Sequence, residues 1–248
     1  DPKWRDQAPH RTAGPNGWAG RDWQSESAPQ FGTPLFTRPS EMQKQGLIGV
    51  NRVEDVKQGK TSGSDYGRMD PRIVDNQGRL KVMDEESIDA AVLYPTSALA
   101  WVPDGEYHIA LNAALNNWLH EWCQADPSRL YGAANIVAIH DVEAACAEVR
   151  RCKKEFGFPA VFLRTTLPNA EVRWWDHTFD PFWATCQDLD IAVGFHPFPG
   201  DSMYGAARYF DIIGPTPELI FMRTPFNIPV DSMQAVMGTI IGGVPERF

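Results

Sequence analysis

Short apolar segments alternate with amphipathic segments from about residue 71 onwards. The apolar runs have the length of buried parallel strands, and they lie near 88–94, 130–137, 160–164 and 191–196. The segments between them carry apolar residues at helical spacing and cover 75–86, 105–125, 142–156 and 180–188, with further helical stretches near 202–213 and 230–242. This alternation predicts a parallel sheet whose strands are joined by helical crossovers.

Two predicted helices have well-marked faces or ends. In the helix at 105–125, the expected buried stripe consists of Leu111, Leu115, Trp118, Leu119 and Trp122. The helix at 142–156 has Asp141 as its expected N-cap, and Gly157 is expected to end it.

Residues 1–70 lack such periodicity and are rich in Pro, Gly, Ser, Asp and Arg. Trp18, Trp23, Phe31 and Phe36 would allow this stretch to pack on the rest of the protein. We therefore expect an irregular N-terminal arm at 1–70 that either packs on the rest or is partly disordered, with one candidate short helix at 40–46, and an α/β region at 71–248.

Two architectures satisfy the alternation of strands and helices: a doubly wound open sheet and a (β/α)8 barrel. Doubly wound nucleotide-binding sheets carry a glycine-rich phosphate loop after a strand. No such loop follows any predicted strand here, as the exit Leu93-Tyr94-Pro95 illustrates. Nucleotide binding therefore loses its main support.

Composition narrows the range of partners. The net charge is −9, so nucleic acid is not expected as a partner, because phosphate backbones bind to basic surfaces. No apolar run reaches the roughly 18 residues of a membrane span, so no membrane association is expected. The four cysteines, at 123, 146, 152 and 186, lack metal-binding or disulfide-framework spacing. We expect reduced thiols in a cytoplasmic protein.

Candidate chemistry lies where the predicted strands end, because barrel enzymes place their active sites at that edge. His196 ends the last predicted strand and is followed by Pro197. It is a candidate metal ligand, and the alternative is a buried histidine bonded to a loop carbonyl. Arg164 ends another strand, and it is expected to face a carboxylate of the protein or of a substrate. His140 either faces the same edge or is a solvated residue before the helix cap.

An aromatic loop follows the strand at 160–164 and contains Trp174, Trp175 and His177. These side chains either line a substrate pocket or pack over the rim of the sheet. His120 is expected at the surface, and His108 has no supporting context. No G-x-S-x-G motif occurs and no Ser, His and acid set is recognisable, so serine- or cysteine-nucleophile chemistry is unsupported. No H-E-x-x-H zinc motif occurs either.

Five segments carry a resemblance to a known family. They are Asp1–Pro9, Gly78–Thr96, Asn116–Cys123 with Asp126–Ala134, Phe179–Leu189 with Val193–Pro197, and Gly242–Phe248. In their order and spacing they resemble the amidohydrolase-related family that includes aminocarboxymuconate-semialdehyde decarboxylase and γ-resorcylate decarboxylase.

The resemblance implies a (β/α)8 TIM-barrel fold with a divalent metal, zinc or manganese. Members of the family hold it with a His-x-His or Glu-x-His motif on the first strand, a histidine ending the fifth and an aspartate ending the eighth. His196 matches the histidine of the fifth strand. The first-strand motif would precede Asp1, and the sixth to eighth strands would follow Phe248. We therefore expect an incomplete barrel in this chain.

The function implied is that of a metal-dependent hydrolase or non-oxidative decarboxylase acting on a small acidic or aromatic molecule. Arg164, Trp174 and His177 are the candidate substrate-binding residues, His196 is the metal ligand, and the catalytic acid or base is unassigned. Relatives commonly form homodimers. The alternative is a metal-free, non-catalytic barrel that serves as a scaffold or interaction subunit.

Overall fold

A computed structural model describes residues 3, 10–11, 23–24, 72, 75–95, 104–136, 140–165, 167, 172–197 and 217–248, with side chains from 229 onwards in the last range. The chain forms two compact units. In the unit of Asp1–Pro71 with Pro199–Val230, β1 (His10–Arg11) pairs antiparallel with β2 (Trp23–Gln24). The division at residue 70 stays a prediction, and the helices predicted at 40–46 and 202–213 fall outside the described residues.

The second unit, Arg72–Phe198 with Asp231–Phe248, contains the predicted alternation of helices and strands. Its elements in order are α1 (Asn76–Glu85), β3 (Ala91–Leu93), α2 (Gly105–Cys123), β4 (Leu130–Asn135), α3 (Val142–Phe156), β5 (Ala160–Arg164), a 3₁₀ turn (His177–Phe179), α4 (Asp180–Asp188), β6 (Ala192–His196), the end of α5 (Pro217–Ile241) and α6 (Val244–Arg247).

The four strands of this unit are all parallel and lie in the order β3-β4-β5-β6. A doubly wound sheet reverses its strand order at a switch point, and the four described strands show no reversal, as expected for a barrel. Right-handed crossovers that always step in one direction place every helix on one face. The barrel-type fold is thus confirmed, and four of its eight strands lie in the described part of the chain.

The hydrophobic core of this unit lies between the sheet and its helices. Met83, Leu119, Val149 and Phe182 are among the most deeply buried helix residues, each at most 2% exposed. Val161 and Leu163 of β5 pack against them from the sheet. Full burial of such a side chain contributes about 1.5–3 kcal/mol, so this layer holds the strands and their ends in place.

Side-chain and backbone caps define the two helices that follow β3 and β4. Asp104 accepts a hydrogen bond of 2.9 Å from the N–H of Tyr107 at the start of α2. Asp141 accepts one of 2.9 Å from the N–H of Ala144, as predicted for α3. Gly157 ends α3 at φ +69°, a conformation that favours glycine.

Strand β3 is shorter than the predicted run at 88–94. The side chain of Arg129 explains why β3 begins late, because its guanidinium donates hydrogen bonds to the carbonyl groups of the residues before β3. Its Nε donates to the carbonyl of Asp89 and its Nη2 to that of Ile88, both at 2.8 Å, while Nη1 bonds Asp84 at 2.7 Å. Arg129 therefore fixes the edge of the sheet at which β3 and β4 begin.

The buried face of α2 differs from the predicted stripe. Trp118 is 50% exposed, and the buried positions are Tyr107, His108, Asn112, Asn116, Leu119 and Cys123. His120, expected at the surface, is half-buried and stacks on Phe156 with 4.2 Å between ring centroids. The hydrophobic pattern failed here because the face turned to the core is partly polar.

The described helices include none with the length and apolar content needed to cross a bilayer. All four cysteines are free and buried. Burial raises the pKa of Cys123 to about 11 and that of Cys186 to about 12. Because the thiolate is the reactive form, these thiols are poor nucleophiles and poor metal ligands.

Candidate active site

The ends of β5 and β6 bring two predicted site residues side by side. Arg164 and His196 are paired in the parallel register, so their side chains leave the same face about 5 Å apart. The alternate residues Leu163 and Phe195 pack in the core under the helices. Arg164 and His196 therefore face away from the helices, which is the side that a barrel closes around its active site.

Aromatic rings border His196 on this face. Tyr94, which follows β3, has its ring centroid 6.0 Å from that of His196 and 5.1 Å from that of Phe162. Phe162 is fully buried and lies 6.1 Å from His196. Gly194 leaves room for this arrangement, because a Cβ there would lie 3.3 Å from the hydroxyl oxygen of Tyr94. The two rings form an aromatic wall beside the imidazole.

The imidazole of His196 has a defined tautomer. Its Nδ1 lies 2.8 Å from the carbonyl oxygen of Pro197, and because a carbonyl only accepts hydrogen bonds, Nδ1 carries the proton. In the neutral ring Nε2 then holds the lone pair. The sequence offered this carbonyl bond as the alternative to metal binding, yet metal-bound histidines commonly donate their other N–H in this way. The assignment of His196 as a metal ligand stays a prediction.

Arg164 is held from both sides of its peptide. Its carbonyl accepts a 2.7 Å hydrogen bond from the indole Nε1 of Trp174, and the next N–H, of Thr165, donates to the carbonyl of His196 at 3.3 Å. Nε and Nη1 of its guanidinium are buried. The position of this cation beside His196 suits an anionic group at the same face, and its substrate-binding role stays a prediction.

Trp174 lies in the core rather than on an open surface. It is 4% exposed, its ring centroid is 5.0 Å from that of Phe179, and its carbonyl accepts from Nε1 of Trp183 at 2.8 Å. Because its indole N–H is bonded to Arg164, this geometry supports a role in placing the end of β5. Direct substrate binding by Trp174 also stays a prediction.

His177 differs from the other candidate site residues because its side chain is largely exposed to solvent. Its side chain is 81% exposed, and Nδ1 donates to the carboxylate of Asp180 at 2.7 Å. The carboxylate also accepts from Nε of Arg247 at 3.0 Å. The hydrogen bond from His177 and the charge of Arg247 lower the pKa of Asp180. A substrate contact of His177 stays a prediction, and its described partner is Asp180.

A histidine pair that the sequence did not indicate lies at the same edge. Nδ1 of His108, at the start of α2, is 3.0 Å from Nε2 of His140, directly before α3. His108 is 5% exposed, whereas His140 is half-buried, so its exposure does not decide between the two alternatives that the sequence allowed. No local pattern joins these residues, because their contact depends on α2 and α3 beginning at one edge of the sheet.

A buried amide network ties α2 to the end of β4 and to α3. Asn116 accepts from the N–H of Asn135 at 3.0 Å and donates to Glu148 at 2.8 Å, while Asn135 donates to Asn112 at 2.5 Å. Burial opposes the charged form of Glu148, but hydrogen bonds from Arg151 and Asn116 outweigh it and lower its pKa. Two asparagines four residues apart on a buried helix face were the signal in the sequence.

The described residues do not include a complete set of metal ligands. No group of three or more His, Cys, Asp and Glu side chains in that part of the chain is arranged to hold a metal. His196 fits as one imidazole ligand, because its tautomer leaves Nε2 as the donor atom. The remaining ligands would have to come from other residues, since catalytic zinc sites use three protein ligands.

Comparison with known proteins agrees with this geometry. The amidohydrolase family model matches residues 18–247. A γ-resorcylate decarboxylase from Rhodococcus jostii is 30% identical over 171 residues, which are 64% of this chain and 51% of that protein. The chain thus spans about half the length of the curated relatives it matches.

Two solved structures share the fold. An amidohydrolase from Mycobacterium avium subsp. paratuberculosis aligns over 100% of this chain and 64% of its own, with a TM-score of 0.62 and 21% identity. A dihydroxybenzoic acid decarboxylase from Polaromonas sp., solved with manganese and the inhibitor 2-nitroresorcinol, aligns over 81% of this chain and 60% of its own. Its TM-score is 0.59 at 21% identity.

Proposed function

Because the chain belongs to the amidohydrolase family, we propose that the protein is a metal-dependent enzyme that acts on a small carboxylated aromatic molecule. Non-oxidative decarboxylation is the favoured reaction, and hydrolysis is the alternative within the same family. The chain matches γ-resorcylate decarboxylases over about half of their length, and this similarity supports decarboxylation.

The observation that carries this proposal is the state of His196. A histidine that ends a barrel strand, with Nδ1–H bonded to the Pro197 carbonyl, presents Nε2 as a fixed neutral donor. Arg164 stands beside it in the strand register. A neutral ligand next to a cation matches a site that receives a metal and an anionic substrate together.

A bound divalent metal would polarise a carboxylate or phenolate oxygen of the substrate. Arg164 would bind the substrate carboxylate, because its planar guanidinium matches two carboxylate oxygens. Tyr94 and Phe162 would flank the aromatic ring and exclude water from this side. Trp174 would hold the end of β5, and His177 would lie at the rim.

The decisive test replaces His196 by alanine in the full-length protein. We expect metal content to fall from about one ion per chain to near zero, and turnover of 2,6-dihydroxybenzoate to be lost with it. Elemental analysis by mass spectrometry and carbon dioxide release measure the two effects.

His120→Ala is the matched control, since α2 ends at the opposite edge of the sheet from His196. Its metal content should equal that of the wild type. Unchanged metal content in His196→Ala would refute the ligand assignment. A wild-type protein that holds no metal and has no turnover would instead support the scaffold alternative.

We also propose zinc or manganese as the metal, a homo-oligomeric state and a cytoplasmic location. The manganese in the Polaromonas relative supports manganese over zinc. Buried free thiols fit a reducing compartment. Elemental analysis identifies the metal, and light scattering of the purified protein measures the oligomeric state.

A further inference from the structure

Arg247 makes an unusually complete set of hydrogen bonds at the loop that follows β5. Its Nη2 donates to the carbonyl of Trp175 at 3.1 Å, and its Nε bonds Asp180 at 3.0 Å. Its Nη1 donates to the carbonyls of Gly242 and Gly243 at 2.9 and 3.1 Å. Every nitrogen of the guanidinium is therefore bonded to the protein, and three of its four acceptors are backbone carbonyls.

These bonds join the aromatic loop to the chain segment at 238–248. The indole ring of Trp175 lies directly on the backbone of α5 and the residue after it, where a Cβ at Gly238 or Gly242 would come under 3.0 Å from its atoms. Only glycine allows that approach. The loop is consequently held by its ring on one side and by its carbonyl on the other.

The same loop reaches the candidate active site through Trp174. Its Nε1 donates to the carbonyl of Arg164 at 2.7 Å, and Arg164 pairs with His196 across the sheet. The connection from Arg247 to the site thus has two links. Arg247 holds the backbone at Trp175, and the adjoining Trp174 holds the last residue of β5.

We propose that Arg247 is a positioning residue that fixes the aromatic loop and thereby the place of Arg164 beside His196. The proposal rests on the proposed function for the role of Arg164, while the placement of the loop is independent of it. Arg247 touches no reacting group, so its effect is expected on substrate binding and not on metal content.

The test is Arg247→Lys in the full-length protein, because lysine keeps the charge but loses the planar fork. Hydrogen–deuterium exchange should rise at the amides of residues 172–176 and at Thr165, while α3 stays protected. The KM for 2,6-dihydroxybenzoate should rise by about 10-fold with metal content unchanged, since small displacements of a positioning group weaken productive binding.

Arg129→Lys is the matched control. Arg129 also bonds two carbonyls and one carboxylate, but at the edge where β3 and β4 begin. It should lower the melting temperature without changing the KM or the exchange of the loop at 172–176. A similar fall in melting temperature in both variants removes general instability as the explanation.

Trp174→Phe supplies a second variant, because it keeps a smaller buried aromatic ring and removes the N–H donated to Arg164. If Arg247 acts through Trp174, the double variant should raise the KM by less than the product of the two single-variant increases. Full multiplication of the two effects, or an Arg247→Lys protein with wild-type exchange at 172–176, overturns the proposal. Absence of turnover in the wild type refutes the proposed function, and the exchange at Thr165 still decides the role of Arg247.

Discussion

Arg129 and Arg247 bind carbonyl groups with the same chemistry at different places in the fold. Arg129 holds the residues before β3 and sits at the edge where the strands begin, far from any candidate chemistry. Arg247 holds the loop that follows β5, whose tryptophan bonds the residue next to His196. The two arginines form the same kinds of hydrogen bond but lie near opposite edges of the sheet. We therefore expect Arg129 to affect stability and Arg247 to affect the candidate active site.

The largest expected effect on stability lies in the amide network at the end of β4. Asn116→Leu removes three described hydrogen bonds and leaves buried partners at Asn135 and Glu148, so unfolding should become about 3 kcal/mol easier. Chemical denaturation of the full-length protein measures this loss. The exposed Asn117→Ala on the same helix removes one surface hydrogen bond, from Arg151, and should cost about 1 kcal/mol or less.

This variant sharpens the comparison of the two edges, because Asn135 ends β4 and its side chain is bonded to Asn112 of α2. If the KM of Asn116→Leu matches the wild type, only the face that carries His196 is functional at this edge. A raised KM with normal metal content would show that the helix side also shapes the site.

Two glycines provide an intermediate test at different positions in the sheet. A Cβ at Gly132 would come under 3.0 Å from the buried ring of Phe158, whereas one at Gly194 would approach only the hydroxyl of Tyr94 at 3.3 Å. Gly132→Ala should therefore cost about 2 kcal/mol of stability, since a packed ring cannot yield. Gly194→Ala should leave stability nearly unchanged because exposed Tyr94 can shift.

Gly132→Ala should have the larger effect on stability, whereas Gly194→Ala should have the larger effect on substrate binding. Gly194→Ala displaces an aromatic neighbour of His196, so the KM for 2,6-dihydroxybenzoate should rise, while Gly132→Ala should keep the wild-type KM. The contrast between the edges fails if Gly132→Ala changes the KM more than Gly194→Ala does.

The smallest expected effect concerns Asp180, which joins His177 and Arg247. Its folded-state pKa lies below its usual value of 3.8, chiefly because of the hydrogen bond from His177. The stability that Asp180 contributes is therefore present above the unfolded pKa and is lost as pH falls below about 4 through the lowered folded pKa. Because this carboxylate is partly exposed, solvent screens the interaction and the change is small.

Asp180→Asn should remove this part of the acid sensitivity and leave stability below about pH 4 less dependent on pH than in the wild type, as expected for a carboxylate with a lowered pKa. Thermal melts over that range measure it, with Asp188→Asn on the same helix as the control. Parallel melting curves for Asp180→Asn and the wild type at every pH would contradict the assignment.

Much of the fold followed from local signals. The four apolar runs correspond to β3 to β6, and Asp141 and Gly157 mark the two ends of α3 as predicted. The start of β3 did not follow, because Arg129, 40 residues away from Asp89, occupies the carbonyls there. The face of α2 was also missed, since apolar periodicity cannot anticipate asparagines that find partners on β4 and α3.

Some features of the candidate site were likewise predicted from the sequence, and others were not. Strand-end position identified Arg164 and His196 as candidates, the family resemblance supported His196, and the register shows that the two are neighbours. Trp174 was named as a substrate contact, whereas its described bonds are to Arg164 and Trp183. The pairing of His108 with His140 and the bonds of Arg247 join residues far apart in sequence, so no motif indicated them.

The sequence by itself determined the alternation of strands and helices, the family and the residues that end the strands, because period, caps and strand exits are local properties. Tertiary structure alone decided the strand order, the tautomer of His196 and the links from Arg247 through Trp174 to Arg164. Those features depend on which atoms meet after distant segments pack, and hydrogen bonds between such segments form only once burial has fixed the distance between them.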